Sequence, residues 1–134
     1  MTEKLETILV VDDCDLVLEV LVATLEAANF VVLQANSGTK AQKLAADHVG
    51  RIDLLLTAVE MAKMSGPYLS EELKKSRPGI HVMLTCGNIL IGDFGCALIQ
   101  KPFGPMKLIE MVNVVLHPAD KSHHVRHLSA GSSE

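Results

Sequence analysis

The sequence predicts an α/β fold, a doubly wound five-stranded parallel sheet with helices on both faces, and three observations carry that expectation. Short β-branched runs alternate with stretches whose apolar residues recur at helical spacing. Helix-stop signals such as Asn29 and Pro78-Gly79 separate the two kinds of segment. The chemically distinctive residues Asp12, Asp13, Thr85 and Lys101 fall just where strands are expected to end, where ligands bind in folds of this class.

Taken in order, residues 6–11 read as a strand buried on both faces of a parallel sheet, ending at Asp12-Asp13. Residues 15–28 follow as a helix with Asp15 as N-cap and Asn29 closing it. Its inward stripe is read as Val17, Val20, Leu21 and Leu25, which sets Leu18 and Val22 on an outer face. Residues 30–34 form the second strand, 38–47 a helix and 53–57 the third strand. A helix follows Gly66-Pro67 with Leu69 and Leu73 inward, and 81–85 is the fourth strand. Residues 97–100 form the fifth strand, and 105–116 a closing helix started by Pro105. Its inward set is Leu108, Val112 and Val115, leaving Ile109, Met111 and Val114 as surplus apolar residues. Between the last two strands, 86–96 is near the roughly 10–12 residues that a crossover needs. Gly87, Gly92 and Gly95 interrupt it, so the fourth helix of such a fold is expected to be short or missing.

The chain has 134 residues, 49% of them hydrophobic, enough for one domain with one core. That domain is placed at 1–118, with 119–134 as a polar tail that cannot bury enough apolar area to order itself. The tail's His123, His124 and His127 lack a carboxylate or thiol framework for a metal, so solvated histidines are the favoured reading. A net charge of −4 gives no reason to expect direct nucleic-acid binding. No apolar run approaches membrane-spanning length, so a cytoplasmic protein is expected. Three cysteines, Cys14, Cys86 and Cys96, without C-x-x-C spacing, read as free thiols.

Asp12-Asp13, Thr85 and Lys101-Pro102-Phe103, together with residues 9–13, 53–57 and Met64 to Pro67, resemble the receiver domains of two-component response regulators over 6–116. The resemblance implies a flavodoxin-like sheet of order 2-1-3-4-5. It also implies roles: Asp12 and Asp13 as Mg²⁺ carboxylates, Thr85 as the phosphate-sensing hydroxyl, and Lys101 as the partner of phosphate and aspartate. Such a site works because carboxylates hold the metal, an aspartate at the end of the third strand is the nucleophile, and hydroxyl and ammonium neutralise phosphoryl oxygens.

The departures are as informative. Ala58 occupies the phosphoacceptor position, and a methyl group cannot become an acyl phosphate. Ala62 replaces the usual proline four residues later, and Leu98 the aromatic residue common three before the lysine. Two changes in one loop favour natural degeneration over a single engineered substitution. Thr57 points to the opposite face from Ala58, and Glu60 lies outside the strand, so neither replaces the nucleophile. With one of three carboxylates gone, no cofactor is required, and Mg²⁺ is expected to bind weakly or not at all.

The leading expectation is a pseudo-receiver, not an enzyme, that docks a histidine kinase, a phosphotransfer domain or another receiver. A homodimer or partner contact is expected through the first and last helices, at Leu18, Val22, Ile109 and Met111. Lys101 is then a salt-bridge partner for Asp12 or Asp13 more than a catalytic group. The residues 98–103 and the glycine-broken crossover are similar to receivers attached to hybrid histidine kinases, so the chain reads as a segment of a longer protein. One rival is a phosphorylatable receiver carrying an engineered Ala58, which the gene sequence at that position distinguishes. Another is a thiol or small-ligand sensor using Cys14, Cys86 and the space beside Ala58, which thiol titration distinguishes.

Overall fold

The computed structural model describes residues 5–87 and 96–118. In chain order the elements are β1 (Thr7–Val11), α1 (Asp15–Ala27), β2 (Val31–Ala35), α2 (Gly38–Asp47), β3 (Leu54–Ala58), α3 (Gly66–Ser76), β4 (His81–Cys86), β5 (Ala97–Gln100) and α4 (Pro105–Leu116). The strands pair in parallel in the order β2-β1-β3-β4-β5, the order that the sequence implied. The predicted short or missing crossover helix falls at 88–95, outside the described residues, as does the tail from 119 onward.

Every residue of β1 and β3 is buried, as unbroken apolar runs in the middle of a parallel sheet require. Alternation then divides the core. Leu9, Val11, Leu55 and Leu84 join Ala41, Leu69 and Leu73 on the α2/α3 face. Ile8, Val10, Leu54, Leu56 and Met83 join α1 and α4 on the other. A one-residue slip of any central strand would exchange these sets, so register is tightly specified.

Helix ends follow local chemistry. Ser37 Oγ accepts the Lys40 N–H at 3.1 Å and Ser65 Oγ the Tyr68 N–H at 3.2 Å, each cap contributing about 1 kcal/mol. Asn29 closes α1 at φ 74° with its N–H donating to Glu26 O, as expected for a residue that tolerates the left-handed region. Gly66 starts α3 against β3, where a Cβ would run into the Ala58 carbonyl oxygen. Its N–H donates to Val59 O at 2.8 Å, pinning the helix start to the end of β3.

Three expectations about the helices require correction. Cys14, not Asp15, is the N-cap of α1, without a side-chain cap bond. Leu18 and Val22 are core residues, 6% and 8% exposed, whereas Val20, expected inside, is 60% exposed. The inward stripe is therefore Leu18, Leu21, Val22 and Leu25. Seven apolar residues between 16 and 25 satisfy the i, i+3, i+4, i+7 spacing in two phases, and only the neighbouring sheet decides between them. On α4, Leu108 and Val112 are buried as expected, but Ile109 and Met111 are partly buried against the same core, not surplus surface. The exposed apolar residues of these helices are instead Leu16, Val20 and Met106.

Candidate functional site

The C-terminal ends of β3 and β4 stand side by side, with Ala58 in register with Thr85, and the chain after β5 brings Lys101 across to them. A cavity of about 210 Å³ results, lined by Ala58, Glu60, Thr85, Cys86, Gly87 and Lys101 among others. Thr85 and Lys101 thus meet beside position 58 as the strand ends implied. Glu60, dismissed as a nucleophile, is an exposed residue of the lining.

Asp12 is 2% exposed and is neutralised from this side, its Oδ2 accepting from Lys101 Nζ at 3.2 Å. Its Oδ1 accepts the Cys14 N–H at 2.9 Å, so the carboxylate also fixes the turn into α1. A buried carboxylate needs such partners because its desolvation is otherwise uncompensated. The sequence left the lysine's partner open between two aspartates, and the structure selects Asp12.

Asp13 behaves differently. It is exposed, and its Oδ2 accepts the Ala62 N–H at 3.0 Å across the loop after β3. It lines a neighbouring cleft with Ala62 and Lys63 rather than the Ala58 cavity. Proline at 62 would have no N–H to give, so the departure at 62 and the placement of Asp13 are two halves of one contact. Sequence reasoning saw the substitution but not its consequence, because the partner is a backbone group.

Mg²⁺ asks for a near-octahedral set of oxygens. Here Asp12 is engaged by Lys101 and Cys14, Asp13 by Ala62, and position 58 offers a methyl. Among the described residues no group of three or more His, Cys, Asp or Glu could hold a metal. The residues present do not fit the ion.

Thr57 lies on the opposite face from Ala58, fully buried, with its hydroxyl donating to the Ala58 carbonyl at 3.1 Å. Leu98, which the resemblance assigns to the switch position, is 36% exposed on β5, and Ile99 beside it is buried in the α1/α4 core. Cys86 is buried and lines the cavity, whereas Cys14 is exposed and absent from its lining, and neither is in a disulfide. Of the two thiols named for the sensor reading, Cys86 lines the cavity and Cys14 does not.

A doubly wound parallel sheet presenting carboxylate, hydroxyl and ammonium groups at its strand ends defines a receiver-type signalling fold. The family model for response regulator receiver domains matches residues 8–113, and the chain belongs to that family, the receivers of two-component signalling. It is 30% identical over 121 residues to the sensor kinase CckA of Brucella abortus (strain 2308), covering 85% of this chain and 13% of the kinase. The chain thus spans a small part of that relative's length. Among solved structures, the receiver domain of the hybrid histidine kinase CckA is 32% identical, with a TM-score of 0.69, covering 83% of this chain and 99% of that one. A receiver domain from Clostridium thermocellum is 27% identical with a TM-score of 0.75, covering 87% and 98% respectively. Vibrio cholerae CheY4, at 21% identity and a TM-score of 0.78 over 84% and 100%, shares the fold. Among the described residues no helix is long and apolar enough to cross a membrane.

Proposed function

We propose that this receiver domain does not accept phosphate and acts by docking a protein of a phosphorelay. The observation that carries the reading is Ala58 lining one cavity with Thr85 and Lys101: the hydroxyl and ammonium are in place, but the group that would form the acyl phosphate is a methyl. Lys101 is then a structural cation for buried Asp12, and Asp13 a tether for the loop after β3. In this reading Mg²⁺ binds weakly or not at all, the domain is not an enzyme, and it resides in the cytoplasm. The likeness to CckA supports a histidine kinase, a phosphotransfer domain or a sister receiver as the partner, and supports the chain being a receiver segment of a hybrid kinase.

The docking face supported by burial is the α1/α4 side. A shallow apolar groove there is lined by Ala23, Ala27, Pro105, Met106, Ile109 and others, and Leu16, Val20 and Met106 are 70%, 60% and 84% exposed. Burying one such side chain contributes roughly 1.5–3 kcal/mol before association costs, so two or three anchors support a specific contact. The test is a titration of a phosphotransfer domain against this protein by sedimentation or calorimetry. Affinity should be the same with and without acetyl phosphate and Mg²⁺, and Val20→Glu with Met106→Glu should weaken it at least about tenfold. Phosphodonor-dependent affinity would overturn the phosphate-independent reading, and an unaffected double variant would overturn the α1/α4 face.

A further inference from the structure

The cavity beside Ala58 holds a polar group without a use elsewhere among the described residues. Thr85 is 1% exposed, and its Oγ1 is buried with no hydrogen-bond partner among the described residues. Buried hydroxyls are nearly always bonded, so one without a partner that lines a cavity marks a place for a ligand atom. Lys101 lines the same cavity, and its bond to Asp12 takes one of three N–H donors.

The residue at 58 specifies the ligand's shape. Alanine differs from aspartate by a single carboxylate group, and the cavity of about 210 Å³ beside its methyl has room for that group. Among the lining side chains, the Thr85 hydroxyl and the Lys101 ammonium are hydrogen-bond donors. Charge then limits the ligand. Asp12 already balances Lys101 at 3.2 Å, and Glu60 is in the lining, so one further negative charge costs less than two.

We infer that this cavity binds a small monocarboxylate noncovalently, of formate or acetate size, with its oxygens on Thr85 Oγ1 and Lys101 Nζ and its hydrogen or methyl against Ala58. No bond forms and no proton moves. The ligand supplies the carboxylate that the chain lacks, and would give this receiver a small-molecule input in place of phosphorylation. The inference rests on the missing carboxylate at 58 and not on the α1/α4 face, so the docking titration and the test below fail independently.

The test is an amide NMR titration of the whole chain with sodium formate and with sodium acetate, against sodium chloride at matched ionic strength. Saturable shifts at residues 58–60 and 85–87 are expected, with dissociation constants in the roughly millimolar range that so few ligand atoms allow. Thr85→Val, which keeps the side-chain shape, should weaken binding about fivefold or more. Ala58→Asp, which fills the space from within, should abolish it. The spectra of both variants report directly whether each is folded. Shifts no larger than those from chloride, undiminished binding to folded Ala58→Asp, or tighter saturable binding of inorganic phosphate than of acetate would each overturn the proposal.

Discussion

Lys101 and Asp12 form a partly buried ion pair at the strand ends. The carboxylate is 2% exposed and the lysine side chain 30% exposed, so removing the lysine strands a buried charge. Lys101→Met should therefore destabilise the fold toward the low end of roughly 3–5 kcal/mol, discounted for the lysine's exposure, and adding Asp12→Asn should recover part of the loss. Urea denaturation of both variants measures this. Asp13 carries a second residue-scale consequence. Calorimetry should find no tight, saturable Mg²⁺ binding, and Ala58→Asp alone should recover little, because Asp13 stays bonded to the Ala62 N–H. Adding Ala62→Pro removes that donor and should raise Mg²⁺ affinity further. Thr85 and Lys101, singled out through side-chain chemistry at strand ends, line the cavity, and Asp12 joins them through its bond to Lys101. The bond of Asp13 was not legible, because its partner is a main-chain group that any residue except proline supplies.

Among the elements, α1 is where pattern reading failed, for a definable reason. With Leu16, Val17, Leu18, Val20, Leu21, Val22 and Leu25 in one short helix, apolar spacing specifies a helix but not its rotation. Alternation in β1 and β3 was legible because a period of two admits only one partition once the sheet is covered on both faces. Leu18→Ala should cost roughly 2–5 kcal/mol, whereas Val20→Ala should stay within about 0.5 kcal/mol. Thermal melts of the two variants separate these phases, and a larger loss for Val20→Ala than for Leu18→Ala would restore the rotation read from the sequence. A contact invisible to pattern analysis joins α2 to α3. The Arg77 guanidinium donates to Ala45 O at 2.9 Å, His48 O at 3.0 Å and Gly50 O at 2.8 Å, bonding carbonyls at and beyond the end of α2. Arg77→Ala should destabilise the protein by roughly 1–3 kcal/mol in chemical denaturation, since hydrogen bonds from a charged donor are the stronger kind.

At the scale of the whole molecule, parallel β/α alternation gathers the ends of β1, β3 and β4 with the segment after β5, and this bonds side chains 89 positions apart. That gathering was readable because each strand end carried a distinctive side chain. The absence at its centre was equally readable, because Ala58 ends a strand whose register with Thr85 leaves no substitute carboxylate on the strand. Which apolar residues of α1 and α4 are exposed was not legible, since exposure on an all-round apolar helix depends on the sheet beneath it. The central claim is that this receiver does not take up phosphate, and intact-protein mass spectrometry after incubation with acetyl phosphate and Mg²⁺ tests it most directly. The unaltered chain should show no phosphoryl adduct, while a phosphorylatable receiver in parallel gains one. An acid-labile phosphoryl group mapped to Asp12, Asp13 or Glu60 would contradict it.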